Sequence, residues 1–214
     1  MPRAVSGALG VLLISVTLGA SAVSCGREVA NVNADTASAP ASTVTRQTDA
    51  NGRRLPFITS FDRRWNSAND GTTYEPCTAL TPDQLAELGI DATSVRDAAG
   101  TNGQTARGCA WRYLEQSPVA NATVTQVVGN SAGLDEEKQR ASGELDIWLT
   151  DTQVDGRVLG VHQDRLGGTC ETYVQSGSAG VSTLVLPRSE QSSIDVVCDL
   201  AIAFTRATID KMPP

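Results

Sequence analysis

The residues best spaced for chemistry are Gly129-Asn130-Ser131-Ala132-Gly133. The run matches G-x-S-x-G, in which a tight strand-to-helix turn presents a serine nucleophile. His162, the single histidine, follows, with Asp146, Asp151 and Asp155 lying between. The order Ser…Asp…His is that of an acyl-transfer site, with His162 as base for Ser131. The surroundings weigh against it. That elbow belongs to a large parallel sheet with crossover helices, and the strands expected here are antiparallel. The stretch after Gly133, LDEEKQRA, reads as a short polar helix and not a buried one. Small residues between a strand and a helix more often make a loop. A serine hydrolase using Ser131 and His162 is therefore kept as an alternative only.

The cysteines carry a different chemistry. There are five, and setting aside Cys25 leaves Cys77, Cys109, Cys170 and Cys198. An even number in an exported chain predicts two disulfides, and the spacing leaves three pairings open. Zinc ligands arrive in close C-x-x-C or H-x-x-x-H pairs, which this chain lacks, so no metal site is expected. Asn66 to Gly71 has the Asn/Asp content of a calcium loop, but Cys77 stands where that loop needs glutamate. Neither G-x-x-x-x-G-K-[ST] nor G-x-G-x-x-G occurs, so no nucleotide and no cofactor is expected. The acids Asp135-Glu136-Glu137 read as a solvated helix start.

The elements that must hold these residues follow from periodicity. Phe57, Phe61 and Trp65 recur at i, i+4, i+8, which predicts a short helix with Pro56 in its first turn. Packing of this stripe onto the domain is favoured over an exposed partner-binding face. Thr81-Pro82-Asp83-Gln84 is a capping box that starts a helix carrying Leu85 and Leu88, and Gly89 ends it. Residues 91–102 read as turns, with a helical turn near 95–99. Cys109, Trp111 and Tyr113 share one face of a strand, and ATVTQVV at 122–128 is β-branched. Leu145, Ile147 and Leu149 alternate, Asp155-Gly156 predicts a hairpin returning through Val158 to His162, and strands follow at 170–175 and 181–186. Ser192 is placed as cap of a long closing helix with Ile194, Val197, Cys198, Ala201, Ile202, Thr205 and Ile209 inward. The fold class is α+β: a mostly antiparallel sheet of about six strands, a short N-terminal helix and a long C-terminal helix packed on it.

Composition sets the setting. The 214 residues are 40% hydrophobic and 19% charged with net charge −7, which excludes a nucleic-acid partner. Met1-Pro2-Arg3 and the apolar run Ala8 to Ala20 form an export signal too short to span a bilayer. Ala22-Val23-Ser24-Cys25 resembles a lipobox, with Ala22 and Val23 departing from its usual residues, and predicts lipidation of Cys25. The expected organisation is a signal peptide over 1–24, a lipidated N-terminus and flexible tether over 25–54, and one domain over 55–214. Such a tether reaches roughly 30 Å. The protein would sit on the outer face of the cell membrane, or be secreted if Cys25 is not processed.

Glu75-Pro76-Cys77-Thr78-Ala79-Leu80-Thr81, Arg107-Gly108-Cys109-Ala110-Trp111, Gly168-Thr169-Cys170 and Asp195-Val196-Val197-Cys198 together resemble the actinobacterial cell-envelope lipoproteins classed as domain of unknown function 3558. The resemblance implies an α/β domain on a lipid anchor and the pairing Cys77–Cys109 and Cys170–Cys198. It supplies no catalytic residue. The expected function is a non-enzymatic binding or accessory domain for an envelope protein or small ligand, with a structural surface protein as a further alternative.

Overall fold

A computed structural model describes residues 45–164, 166, 168–188 and 192–214. The expected leader, Cys25 and most of the tether lie outside the described residues. Among the described residues three α-helices, α1 (Pro82–Glu87), α2 (Leu134–Arg140) and α3 (Ile194–Thr208), accompany eight strands. The strands are β1 (Ile90–Asp97), β2 (Arg107–Tyr113), β3 (Thr123–Asn130), β4 (Asp146–Trp148), β5 (Thr152–Val154), β6 (Arg157–Asp164), β7 (Thr169–Ser176) and β8 (Ala179–Leu186). They form one antiparallel sheet in the order β1-β2-β3-β8-β7-β6-β4, with β5 also paired to β6.

The sheet has eight strands where about six were expected, and the two extra ones have weak signals. The polar residues of β1 hide its alternation, so the sequence pattern there predicts turns. It is an edge strand whose register shifts between Asp91 and Arg96. β5 is only three residues long and was read as the approach to a hairpin. The hairpin turn itself is as expected, with φ of 50° at Asp155 and 76° at Gly156, a left-handed pair that the Asp-Gly sequence suits.

One face of the sheet is covered by α3. Ser193, not Ser192, caps this helix, its side chain accepting from the Val196 amide. The buried stripe is Val197, Cys198, Ala201, Phe204, Thr205 and Thr208; the expected Ile194 and Ile202 are half-buried against the core, and Phe204 and Thr208 add to the inward set. Beneath it, Val124, Gln126 and Val128 of β3 are fully buried while the alternate residues are half-exposed or open. The core holds a polar seam. Thr205 Oγ1 meets Thr172 Oγ1 at 2.6 Å and Thr183 Oγ1 at 2.9 Å, and Gln126 donates to Thr183 and Thr208. Tyr74 donates to Gln126 Oε1 at 2.5 Å, so the seam's buried groups are satisfied by one another.

The disulfides join Cys77 to Cys109 and Cys170 to Cys198. The first ties the 3-10 turn Pro76–Thr78, just before α1, to β2; the second ties β7 to α3. The α1 capping box forms both ways, Gln84 N to Thr81 Oγ1 at 3.3 Å and Thr81 N to Gln84 Oε1 at 3.0 Å.

The helix predicted for 55–65 does not form; the segment runs as bends and turns. Phe57 and Trp65 nonetheless pack against the core, and Arg46 and Arg64 each lie over the Trp65 ring, 4.2 and 4.6 Å from its centroid. Tertiary anchors overrode the helical spacing. Part of the expected tether is also folded in. Thr48 bridges Arg54, and buried Asp49 accepts from Thr78 Oγ1 at 2.7 Å.

Candidate functional site

With α3 on one face, the other face of the sheet stays open, and α2 lies along only part of it. Alternation along β3, β8, β7 and β6 puts Val127, Gly129, Gly180, Ser182, Glu171, Tyr173, Gly160 and His162 on this side. Two glycines shape its floor. A Cβ on Gly180 would stand 2.5 Å from Tyr173 Cε2, and one on Gly160 would stand 2.5 Å from Leu134 Cδ1 and 3.2 Å from Trp148 Cζ3. Glycine at these interior strand positions lets the Tyr173 and Trp148 rings lie across the sheet, and lets α2 plant Leu134 on it.

Between α2 and this floor runs a groove. Its larger part is a hollow of about 490 Å³ lined by β3 and β8 residues, Tyr173, Glu171, Ser131 and the α2 side chains Glu136, Glu137 and Arg140. A second hollow of about 330 Å³ adjoins it through Glu137, Arg140, Glu171, Tyr173 and Ser182, and continues to Asp146 and Trp148. Both volumes are in the range of small-molecule sites.

The groove's polar groups divide into committed and free ones. Ser131 Oγ meets Glu137 Oε1 and Tyr173 Oη, each at 3.0 Å, and Tyr173 Oη also lies 2.5 Å from Gln175 Oε1. Burial, joined by the Glu136 charge, raises the Tyr173 hydroxyl pKa above its usual value against the opposing bond to Ser131. Glu137 pairs with Arg140, and Trp148 Nε1 donates to Ala141 O at 2.8 Å, fastening the end of α2. By contrast, the Glu171 carboxylate and the Ser182 hydroxyl have no hydrogen-bond or ion-pair partner among the described residues. Three carboxylates, Glu136, Glu137 and Glu171, face one guanidinium in the larger hollow, so its field is negative.

Of the residues suspected of hydrolase chemistry, Ser131 and the pair His162 and Asp146 border this face, but they do not form a triad. His162 Nε2 lies 2.8 Å from Asp146 Oδ1 and stacks on Trp148 with centroids 5.0 Å apart. Ser131 finds Glu137, Tyr173 and the Gly133 amide as partners, and His162 is not among them. Ser131 follows a central antiparallel strand, and the next helix, α2, has no buried residue and no side-chain cap. Asp151 is exposed and holds Lys138 at 2.7 Å. Among the described residues no group of three or more His, Cys, Asp or Glu side chains is placed to hold a metal ion.

Sequence reasoning missed Glu171, Tyr173, Ser182 and Trp148 as groove residues. The two-residue period of β7 put Glu171 and Tyr173 on the face opposite Cys170, and the strand glycines Gly160 and Gly180 marked close approaches. That they face one hollow depends on the pairing of β6, β7 and β8, which the sequence does not state.

No curated protein and no solved structure matches the chain. The match to a family described as a protein of unknown function, DUF3558, extends over residues 20–211. The chain belongs to the DUF3558 family.

Proposed function

We propose that this is a non-enzymatic binding domain whose ligand, a small molecule, lies in the groove between α2 and the open sheet face. The observation that carries the reading is the roughly 490 Å³ hollow, with its glycine-and-tyrosine floor and free polar groups, on the one face that no long helix covers. Ser131 bonded to Glu137 and Tyr173, with His162 turned instead to Asp146, supports binding over acyl transfer by the Ser131–His162 pair. Nuclear magnetic resonance of the labelled protein titrated with fractionated envelope metabolites is the direct test. Shifts should cluster at Ser131, Glu171 and Ser182, and Ser182→Trp should abolish them; shifts confined to other surfaces would sink the reading. A fluorophosphonate probe that labels the wild type but not Ser131→Ala would instead establish a serine hydrolase.

The setting proposed with it is the outer face of an actinobacterial cell membrane, reached by an export signal and held by lipid on Cys25. What supports this is the apolar leader ending in Ala22-Val23-Ser24-Cys25, the two disulfides and the family's extent from residue 20. Cys25→Ala should move the protein from the membrane fraction to the medium. Unchanged fractionation would count against the anchor.

A further inference from the structure

The groove's free groups specify more than its shape. Glu171 stands on β7, opposite His162 of β6 and Leu184 of β8, half-buried in the middle of a sheet. Its carboxylate has no partner among the described residues, although the other acid deep in the groove, Glu137, is held by Ser131 and Arg140. A partly desolvated carboxylate left unpaired is costly, and a ligand bringing a positive charge recovers that cost on binding. Ser182 is the diagonal neighbour of Glu171 across the β7–β8 pair, and its hydroxyl is likewise free. The two therefore form a carboxylate and a hydroxyl on one floor, beside the apolar patch of Val127 and Gly129.

Resting on the groove as the binding site, we propose that its ligand is a hydroxylated organic amine, the ammonium seated on Glu171 and a ligand hydroxyl on Ser182. An anion is disfavoured by Glu136, Glu137 and Glu171 together, since the one guanidinium present, Arg140, is already paired with Glu137. A purely apolar ligand would strand Glu171 and Ser182 in a dry site.

The test keeps the pyranose ring and all but one hydroxyl and changes the charge of a single substituent, using glucosamine, glucose and glucuronate as probes on the purified full chain. Calorimetry, with amide shifts read at Ser131, Glu171 and Ser182, should find glucosamine bound at least roughly tenfold tighter than glucose, the scale of a charge-assisted bond over a neutral one, and glucuronate weakest. Glu171→Gln should bring glucosamine down to the affinity of glucose. Failure of glucosamine to bind, or glucose or glucuronate binding as tightly with shifts in the groove, overturns the amine inference, and in the second case the groove reading stands. Shifts lying away from the groove for every probe overturn both. The wild-type comparison needs no variant, so a folding defect in Glu171→Gln leaves it decisive.

Discussion

Glu75 shares one carboxylate between two buried arginines. Its oxygens accept from Arg64 at 2.9 and 3.1 Å and from Arg107 at 3.0 Å, and all three side chains are almost wholly out of solvent. Arg64 also reaches Asp97 at 3.0 Å, while Arg107 is completed by the carbonyls of Asn69 and Thr72. Burial lowers the pKa of both guanidiniums. For Arg64 the carboxylates Glu75 and Asp97 outweigh burial and the net shift is upward; for Arg107, which has only a share of Glu75 and is repelled by Arg64, it stays downward. Removing one member of such a cluster strands the others. Glu75→Gln should therefore cost about 3–5 kcal/mol, read as a lowered midpoint in urea unfolding. A change within experimental scatter would mean that water reaches the arginines. Asp49 makes a milder case: burial pushes its pKa up, but bonds from Thr78 and Arg53 outweigh it and the net shift is down from 3.8. Its contribution is present above that value and is lost as the pH falls through the depressed one. Asp49→Asn should lower stability at neutral pH and flatten the acid limb of the stability profile.

At the scale of elements, α1 has six residues, too few to persist alone. The Cys77–Cys109 bridge holds the turn before it to β2, as Cys170–Cys198 holds α3 to β7. With sequence separations of 32 and 28 between partners, chain entropy assigns each bridge about 3.5 kcal/mol. Cys77→Ala with Cys109→Ala should lose about that much in denaturant unfolding, and losing both bridges should approach the whole stability of an ordinary domain. The C-terminal segment has its own fastening. Arg157 donates to the carbonyls of Ile209, Met212 and Pro213 at 3.2, 2.7 and 3.2 Å and to Gln175 O, while the Gly177 amide donates to Pro214 O. Arg157→Ala should speed hydrogen exchange at the Met212 and Gly177 amides before the sheet amides respond; unchanged protection there would show that the segment is held by Ile209 and Met212 packing alone.

For the whole molecule, the three tyrosines report on one cooperative unit. Burial raises the hydroxyl pKa of Tyr74, Tyr113 and Tyr173 above the ordinary 10.0, most strongly for the first two. A raised folded pKa means that the folded state holds protons that the unfolded chain releases, so this stability is present below pH 10 and is lost as pH rises through the raised values. Tyrosinate absorbance should stay low past pH 10 and then rise with unfolding; an ordinary titration near 10 in the folded protein would contradict the buried placement. The sequence by itself determined the elements with strong local rules: the capping box at Thr81, the Asp155-Gly156 turn, the alternation of Cys109, Trp111 and Tyr113, and the α3 stripe with Cys198 inward. It also determined, through family resemblance, the disulfide pairing. These depend on the next few residues or on a few fixed landmarks, so they were legible. Tertiary structure alone decided that β1 pairs at the edge in place of a turn, that Phe57 and Trp65 pack without a helix, and that Asp49 joins the fold. It also decided the groove, because Glu171, Ser182, Tyr173 and Ser131 converge only once β8 inserts between β3 and β7. Such convergence is set by long-range strand order, which no local pattern of residue types encodes.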